Sequence, residues 1–123
     1  MIQVQSLFTD LDGPGAVETF TPILEKTGLR IERIDSHGQA SPEGFWYDQS
    51  QDEWVLLVRG EAVLEIADQP PLNLKSGDHL LVRAHIRHRV ASTSADALWL
   101  AVHLSSDKIP GPVLKASNVD ISI

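Results

Sequence analysis

Residues 44–90 hold most of the side chains that could bind a metal or move a proton. This stretch begins with the run Tyr47-Asp48-Gln49, continues through Glu53, and ends with the run Arg83-Ala84-His85-Ile86-Arg87-His88. Carboxylates, imidazoles, phenols and amides can serve as metal ligands, and several can act as acids or bases. Two apolar runs rich in β-branched residues lie between these groups, and each ends in a glycine turn. The pattern indicates a small β-barrel with a chemical site inside its mouth.

The composition restricts what such a site could bind. The chain has no cysteine, so any metal must use nitrogen and oxygen ligands. Its formal net charge of −7 opposes nucleic-acid binding, because no basic stripe is present to displace counterions from phosphates. A metal or a small neutral or cationic ligand fits better than a polyanion. An anionic substrate would need local positive charge, which Arg83, Arg87 and Arg89 could provide.

The size of the chain fits one domain. At 123 residues it can bury a single core, and its 42% hydrophobic and 22% charged residues are typical of globular proteins. No apolar run approaches the length that spans a bilayer, and residues 1–5 lack the pattern of a signal peptide. We therefore expect a single-domain, cytoplasmic protein.

Short strands at a spacing of about ten residues are predicted from residue 29 onward. Residues 29–34 alternate apolar and charged side chains, as a strand with one buried face does. Arg59-Gly60-Glu61 reads as a tight reversal, and no helical period is sustained. The sequence therefore predicts an all-β sandwich or barrel. The other predicted strands are residues 53–59, 61–67, 72–74, 79–82, 87–93 and 98–104.

The two ends of the chain are less regular. Residues 1–27 contain the turn signal Asp12-Gly13-Pro14-Gly15, and Pro22 would interrupt a helix, so we expect at most one short helical turn there. In the tail, residues 108–112 cannot be regular structure. Residues 113–115 and 119–123 could still add an edge strand.

The spacing of glycines, acids and histidines resembles the cupin superfamily. The family's first motif, G-x5-H-x-H-x3-4-E-x6-G, is matched in its second half by Glu53 and Gly60. Its second motif, G-x5-P-x-G-x2-H-x3-N, is matched by Gly77 and His88, and sixteen residues separate Gly60 from Gly77. The resemblance is to small single-domain bacterial cupins. It implies a double-stranded β-helix, or jelly-roll barrel, over residues 28–104, with an N-terminal extension at 1–27 and a tail at 105–123.

The sequence departs from the family where metal ligands are expected. The two histidines of the first motif fall on Tyr47 and Gln49 with one gap length, and on Trp46 and Asp48 with the other. The second motif has Arg83, His85 and Ser92 in place of its proline, glycine and asparagine, but it keeps the ligand histidine as His88.

The resemblance still implies a possible centre for a divalent metal such as Zn, Fe, Ni or Mn. Two histidines and one carboxylate would suit iron or zinc. The candidate ligands are Glu53, His88, Gln49, Asp48 and His103.

Other residues are candidates for catalysis and substrate binding. His85 and Tyr47 could transfer protons, while Trp46 and Arg87 could bind substrate. Each candidate also has a purely structural alternative, since Glu53 could be an exposed strand end and His88 a hydrogen-bonded wall residue. The same holds for His85 on its turn and for His103 in its apolar strand. His37 and His79 are expected at the surface, and Trp54 and Trp99 in the core.

Two functions remain open from the sequence. The first is a cupin that binds a divalent metal in its barrel and either binds or acts on a small organic molecule; if it is an enzyme, the resemblance implies the dioxygenase, isomerase or lyase class. The second is a metal-free module that binds or senses a small ligand. The resemblance also implies a homodimer that pairs through sheet edges, and we expect the strand at 29–34 to lie at its seam.

Overall fold

A computed structural model describes residues 1–11 and 16–105 of the chain. These residues form strands, turns and loops. No helix in this part of the chain is long and apolar enough to cross a membrane. The tail segments 113–115 and 119–123, for which an edge strand was predicted, lie outside the described residues. The strands are β1 (Thr19–Lys26), β2 (Leu29–Asp35), β3 (Asp52–Arg59), β4 (Glu61–Ile66), β5 (Leu72–Lys75), β6 (His79–Val82), β7 (His88–Thr93) and β8 (Leu98–Leu104).

The strands form two antiparallel sheets. One has the order β1-β2-β8-β3-β6, and the other has the order β5-β4-β7. Within the described residues the two sheets are not hydrogen-bonded into a closed ring, although a bridge between Tyr47 and His88 extends the smaller sheet. The all-β prediction and the jelly-roll architecture are confirmed, with the barrel formed by two separate sheets.

The apolar core lies between the sheets. Alternate residues of β3 point inward, so Val55 and Leu57 pack with Leu64 of β4, Val90 of β7 and Trp99 of β8. We call this side of both sheets the inner face and the opposite side the outer face. Trp99 is a core residue, as predicted.

Trp54 does not belong to this core. It precedes Val55 on β3 and therefore lies on the outer face, where it is half-buried. Its ring centroid is 5.5 Å from that of His79 on the neighbouring strand. Trp54 was predicted in the core because tryptophan is usually buried, but the pleat of β3 turns it outward.

Strand β2 is present as predicted, but the side it buries is reversed. The charged residue Glu32 points inward with Ile34 and is only 4% exposed, whereas the apolar Ile31 lies half-buried on the outer face. Arg33 shares the outer face with Ile31 yet is buried, because its Nη1 donates hydrogen bonds to the carbonyls of Leu7 (2.9 Å) and Thr9 (2.6 Å). The N-terminal residues thus cover one end of the outer face.

The expectation of at most one short helical turn before residue 27 missed a strand in this part of the chain. Thr19–Lys26 is a strand that pairs with β2 along its length, so these residues belong to the larger sheet. Because β2 is hydrogen-bonded to β1 on one side and to β8 on the other, it offers no free edge for the seam that the sequence suggested at 29–34. Pro22 is tolerated because β1 is an edge strand, where a missing amide donor costs no ladder hydrogen bond. A bulge between Pro22 and Leu24 shifts the register there.

The reversal between β3 and β4 requires a glycine at position 60. Its φ angle is 91°, in the left-handed region that side chains disfavour. A Cβ atom there would lie 2.9 Å from Ala97 Cα and would also collide with Ser94 Oγ. The predicted tight turn is confirmed, and it sets the step from one sheet to the other.

Candidate functional site

Polar groups occupy one end of the inner face, and we call five of them the interior polar cluster: Glu32, Glu53, Tyr47, His88 and His103. All five are at most 4% exposed. They arise from strand alternation, since Glu53 precedes Val55 and His88 precedes Val90 on inward-facing positions. The apolar core fills the other end of the same space.

His103 joins two carboxylates within this cluster. Its Nε2 lies 3.1 Å from Glu32 Oε1 and 3.8 Å from Glu53 Oε2. The first contact is a hydrogen bond in which the imidazole N–H donates, because a carboxylate only accepts. Arg30 Nη2 lies 3.5 Å from the same oxygen of Glu32. Two of the predicted ligands, Glu53 and His103, are therefore neighbours, and Glu32 holds the second of them.

His88 presents one ring nitrogen to the interior. Its Nδ1 lies 2.9 Å from the Ile86 carbonyl and donates to it, which leaves Nε2 as the acceptor of the neutral ring. Nε2 is buried and has no hydrogen-bond partner among the described residues. Burial lowers the pKa of His88 below its ordinary value, against smaller opposing effects of the Ile86 hydrogen bond and the Asp48 charge. This nitrogen is thus unprotonated at neutral pH.

Tyr47 lies beside His88 at the same end. The two ring centroids are 5.8 Å apart, and their backbones exchange hydrogen bonds of 2.7 and 3.1 Å. Burial raises the pKa of Tyr47 to about 12; the charges of Glu18 and Glu53 add to this, and the hydroxyl of Ser41 opposes it. The phenol therefore keeps its proton at physiological pH.

The remaining predicted ligands separate into buried and exposed groups. Gln49 is buried, and its backbone carbonyl accepts a hydrogen bond from the His85 backbone N–H at 2.7 Å. Asp48 is exposed and bonds the exposed His85 ring at 2.7 Å, so these two side chains pair with each other at the surface. His85 has a φ angle of 65°, which is uncommon outside glycine and records a strained turn.

The predicted substrate-binding residues form their own contact. The Arg87 guanidinium lies 5.4 Å from the centroid of the Trp46 ring, which is a cation–π geometry. Arg89 has a structural role, since its side chain bonds Glu65 and the carbonyls of Phe45, Ser41 and Pro42. Of the three arginines expected to attract an anion, Arg83 and Arg87 remain exposed.

One feature of the described side chains suits a metal site, and another does not. The His88 Nε2 atom suits a ligand nitrogen, because a backbone acceptor on the other ring nitrogen fixes its tautomer. However, no group of three His, Asp or Glu side chains within residues 1–11 and 16–105 is placed to hold an ion. The described side chains therefore do not fit a preformed three-ligand centre of this kind. The metal roles of Glu53, His88, Gln49, Asp48 and His103 stay predictions.

Sequence reasoning missed Glu32 and Arg30. Both stand in a strand whose alternation suggested that its charged side chains face solvent. The available signal was that the charged side includes Ile34, an apolar residue on the same face.

Known structures share this architecture. An RmlC-like cupin from Methanocaldococcus jannaschii with a double-stranded β-helix fold is 17% identical, covers 85% of this chain and 91% of its own, and has a TM-score of 0.64. A cupin superfamily protein from Desulfitobacterium hafniense DCB-2 is 20% identical over 76% of this chain and 81% of its own, also with a TM-score of 0.64. At these identities the likeness concerns the fold. The chain belongs to the cupin superfamily of double-stranded β-helix proteins.

Another known structure is more similar to this chain in sequence. A candidate mannose-6-phosphate isomerase from Ralstonia eutropha JMP134 is 49% identical, with a TM-score of 0.80. The match covers 85% of this chain and 100% of that one. No protein-family model and no curated protein matches the sequence.

Proposed function

We propose that this cupin binds a small organic molecule with a carbonyl or hydroxyl group at the interior polar cluster and moves a proton on it, as an isomerase does. One observation carries the proposal. The buried Nε2 of His88 is a neutral acceptor with no hydrogen-bond partner among the described residues. A buried polar atom of this kind is often completed by a ligand, water or ion.

The cluster contains the groups that an aldose–ketose isomerisation needs. The reaction takes a proton from the carbon beside a carbonyl, passes through an enediol, and returns a proton to the adjacent carbon. His88 Nε2 or the Glu53 carboxylate can serve as the base. The Tyr47 phenol, which stays protonated, can donate a hydrogen bond to the oxygen that gains negative charge.

Glu32 and His103 would position the reacting groups. His103 is fixed by its hydrogen bond to Glu32, and it lies beside Glu53. An imidazole held in this way keeps the neighbouring carboxylate in one place, which matters because small misplacements of a catalytic group are costly.

The relative from Ralstonia eutropha supports a sugar phosphate as the first substrate to test. A phosphate needs positive charge, and the exposed Arg87 next to His88 could supply it while Trp46 packs against the sugar. His85 and Asp48 would then lie at the rim and assist proton exchange with solvent.

The test is proton exchange in heavy water. The protein is incubated with mannose 6-phosphate and fructose 6-phosphate in D2O, and deuterium at the carbon beside the carbonyl is followed by NMR. We expect exchange in the parent protein and a loss of about 10²-fold or more in His88→Gln and Glu53→Gln. His79→Gln, an exposed histidine on the outer face, is the matched control. If neither sugar phosphate is exchanged, the isomerase proposal in this form is wrong.

A metal-dependent cupin is the second candidate, and the fixed tautomer of His88 favours it. Metal analysis of protein purified without a histidine tag separates the two candidates. Near-stoichiometric Zn, Fe, Ni or Mn that is lost in both His88→Ala and Glu53→Ala would support the metal. Exchange activity that survives exhaustive chelation would support the metal-free form.

A further inference from the structure

Arg30 brings a positive charge to the interior polar cluster. It lies two residues before Glu32 on β2 and directly opposite His103 on β8, so its side chain projects to the inner face with both. In the same cross-strand row, Glu53 of β3 stands on the other side of His103. The guanidinium therefore lies at the same end of the inner face as the proposed base.

The hydrogen-bond donors of this guanidinium are not all used. The Arg30 side chain is 24% exposed, but its Nε and Nη2 atoms are buried, and neither has a hydrogen-bond partner among the described residues. Nη2 lies 3.5 Å from Glu32 Oε1, which makes an ion pair rather than a hydrogen bond. A buried donor without a partner is costly, so such an atom calls for an acceptor that a ligand can supply.

The two unused donors share one edge of the guanidinium plane. Nε–H and one Nη2–H point in parallel, and this fork matches two oxygens that lie side by side in a plane. A cis-enediolate presents two such oxygens, one on each carbon of its double bond, and it carries a negative charge. The neutral hydroxy carbonyl compound from which it forms has the same two oxygens without that charge. The fork therefore interacts more strongly with the enediolate.

The neighbouring charges favour an anion that forms in the site over one that enters from solvent. Arg30 stands with two carboxylates, Glu32 and Glu53, and this excess of negative charge opposes a second anion. Proton transfer to Glu53 neutralises that carboxylate while the substrate becomes anionic. The total charge is unchanged, and the negative charge moves onto the substrate oxygens.

We propose that Arg30 is a catalytic residue that donates hydrogen bonds from Nε and Nη2 to the two oxygens of an enediolate intermediate. This inference rests on the proposed function, and it restricts the substrate to carbonyl compounds with a hydroxyl on the adjacent carbon.

The proton transfers of this step balance. The C–H bond beside the carbonyl breaks and an O–H bond forms on Glu53. The electron pair left on carbon becomes the new C=C bond, and the carbonyl π pair moves to its oxygen. The proton then returns from Glu53 to the former carbonyl carbon, while the hydroxyl proton crosses to the other oxygen.

Deuterium exchange from D2O with the two sugar phosphates named above measures the effect on the reaction. Arg30→Gln should lower kcat by about 10²-fold, because one set of donors to the developing anion is lost. KM should stay within about threefold, since the neutral substrate gains little from the charge. Arg30→Lys keeps the charge but not the fork, so it should recover only part of the rate.

A binding measurement tests Arg30 without turnover. The glycolohydroxamate anion is planar and has two adjacent oxygens, as the enediolate does, and glycolamide is its neutral counterpart. In NMR titrations the parent protein should bind the hydroxamate about tenfold more tightly than the amide. Arg30→Gln should abolish this preference, and Arg30→Lys should reduce it. A purely structural role would weaken both ligands alike and leave their ratio unchanged, and Arg30→Lys alone suffices if Arg30→Gln does not fold.

Lys75→Gln is the matched control. It also removes one positive charge, but the Lys75 side chain is 82% exposed and lies on β5 of the other sheet. It should keep both the exchange and the hydroxamate preference.

The two measurements separate this inference from the proposed function. Exchange that Arg30→Gln leaves at the parent rate overturns the role of Arg30, while the isomerase proposal stands. A hydroxamate preference that depends on Arg30, without exchange of either sugar phosphate, supports Arg30 and rejects these sugars as substrates. A parent protein with no preference for the hydroxamate, or with one that the Arg30 variants retain, overturns the inference.

Discussion

His103 and Glu32 form a buried pair across two neighbouring strands, with His103 Nε2 lying 3.1 Å from Glu32 Oε1. Neither side chain reaches solvent to a meaningful extent, since their residues are 1% and 4% exposed. This contact explains why a glutamate can occupy the inner face of β2. Its carboxylate accepts a hydrogen bond from the imidazole N–H and lies close to the Arg30 guanidinium, so these two groups compensate the cost of burying its charge.

Replacing Glu32 should therefore destabilise the fold. Glu32→Ala leaves a buried imidazole donor without its acceptor, and we expect the free energy of unfolding to fall by about 1–3 kcal/mol. Glu32→Gln keeps an acceptor oxygen and should recover part of this loss. Urea unfolding measures both, with the exposed Glu43→Ala as the control, expected within about 0.5 kcal/mol of the parent. Equal stability of Glu32→Ala and Glu43→Ala would show that the buried pair contributes nothing.

The buried His88 should make the protein acid-sensitive. Because burial lowers its pKa in the folded state below the ordinary 6.5, the unfolded chain binds more protons than the folded chain as the pH falls below that value. Stability should thus decrease from about pH 6.5 down to the folded pKa, and this group should contribute no pH dependence above that window.

The variant His88→Asn tests whether His88 causes this loss of stability at acid pH. Asparagine does not titrate, so unfolding free energies measured at pH 7.5, 6 and 5 should fall less steeply in the variant than in the parent. The variant's absolute stability is expected to be lower, because the site is buried, and only the slope is informative. An unchanged slope would assign the acid sensitivity to another group.

Tyr47 can be titrated without interference. It is the single tyrosine of the chain, and its pKa of about 12 places phenolate formation well above the ordinary value near 10. Absorbance at 295 nm should stay flat in folded protein up to about pH 11, while denatured protein should titrate near pH 10. Since the folded state resists loss of the proton, stability should decline as the pH rises above about 10. Ionisation of folded Tyr47 near pH 10 would contradict its burial.

The turn at Gly60 offers a comparison between two glycines. Gly60→Ala should destabilise through both its positive φ and the collision of the new Cβ with Ser94 and Ala97. Gly77→Ala has a similar φ of 94° but nothing within 4 Å of the new atom. We expect a loss of about 1 kcal/mol for Gly77→Ala and about 2–4 kcal/mol for Gly60→Ala, measured by thermal unfolding. Equal losses would mean that the turn relaxes to accept a side chain.

Much of the fold was predictable because its signals are local. Alternation and turn residues identified seven of the eight strands, and the spacing of Glu53, Gly60, Gly77 and His88 indicated the cupin architecture. Strand β1 escaped detection because Pro22 argues against a strand in isolation, and only its position at a sheet edge makes proline acceptable.

The orientation of β2 could not be predicted in the same way. Periodicity tells that two faces differ, but not which one meets the core. The orientation of β2 depends on its neighbours. His103 on β8 supplies a partner for Glu32, and residues 7–9 supply carbonyl acceptors for Arg33. The same limitation applies to Trp54, whose outward position follows from the pleat of β3.

The sequence by itself determined a small cysteine-free, acidic, all-β domain, and it singled out Glu53 and His88 as candidate site residues. Both side chains are buried and face inward. Side chains alternate between the two faces of a strand, so the apolar residues near Glu53 and His88 in the sequence already indicate which way they point. Only the tertiary structure decided that Asp48 and His85 pair at the surface, that His103 is held by Glu32, and that Trp54 lies on the outer face. These contacts join residues far apart in the chain, so they exist only once the sheets have assembled.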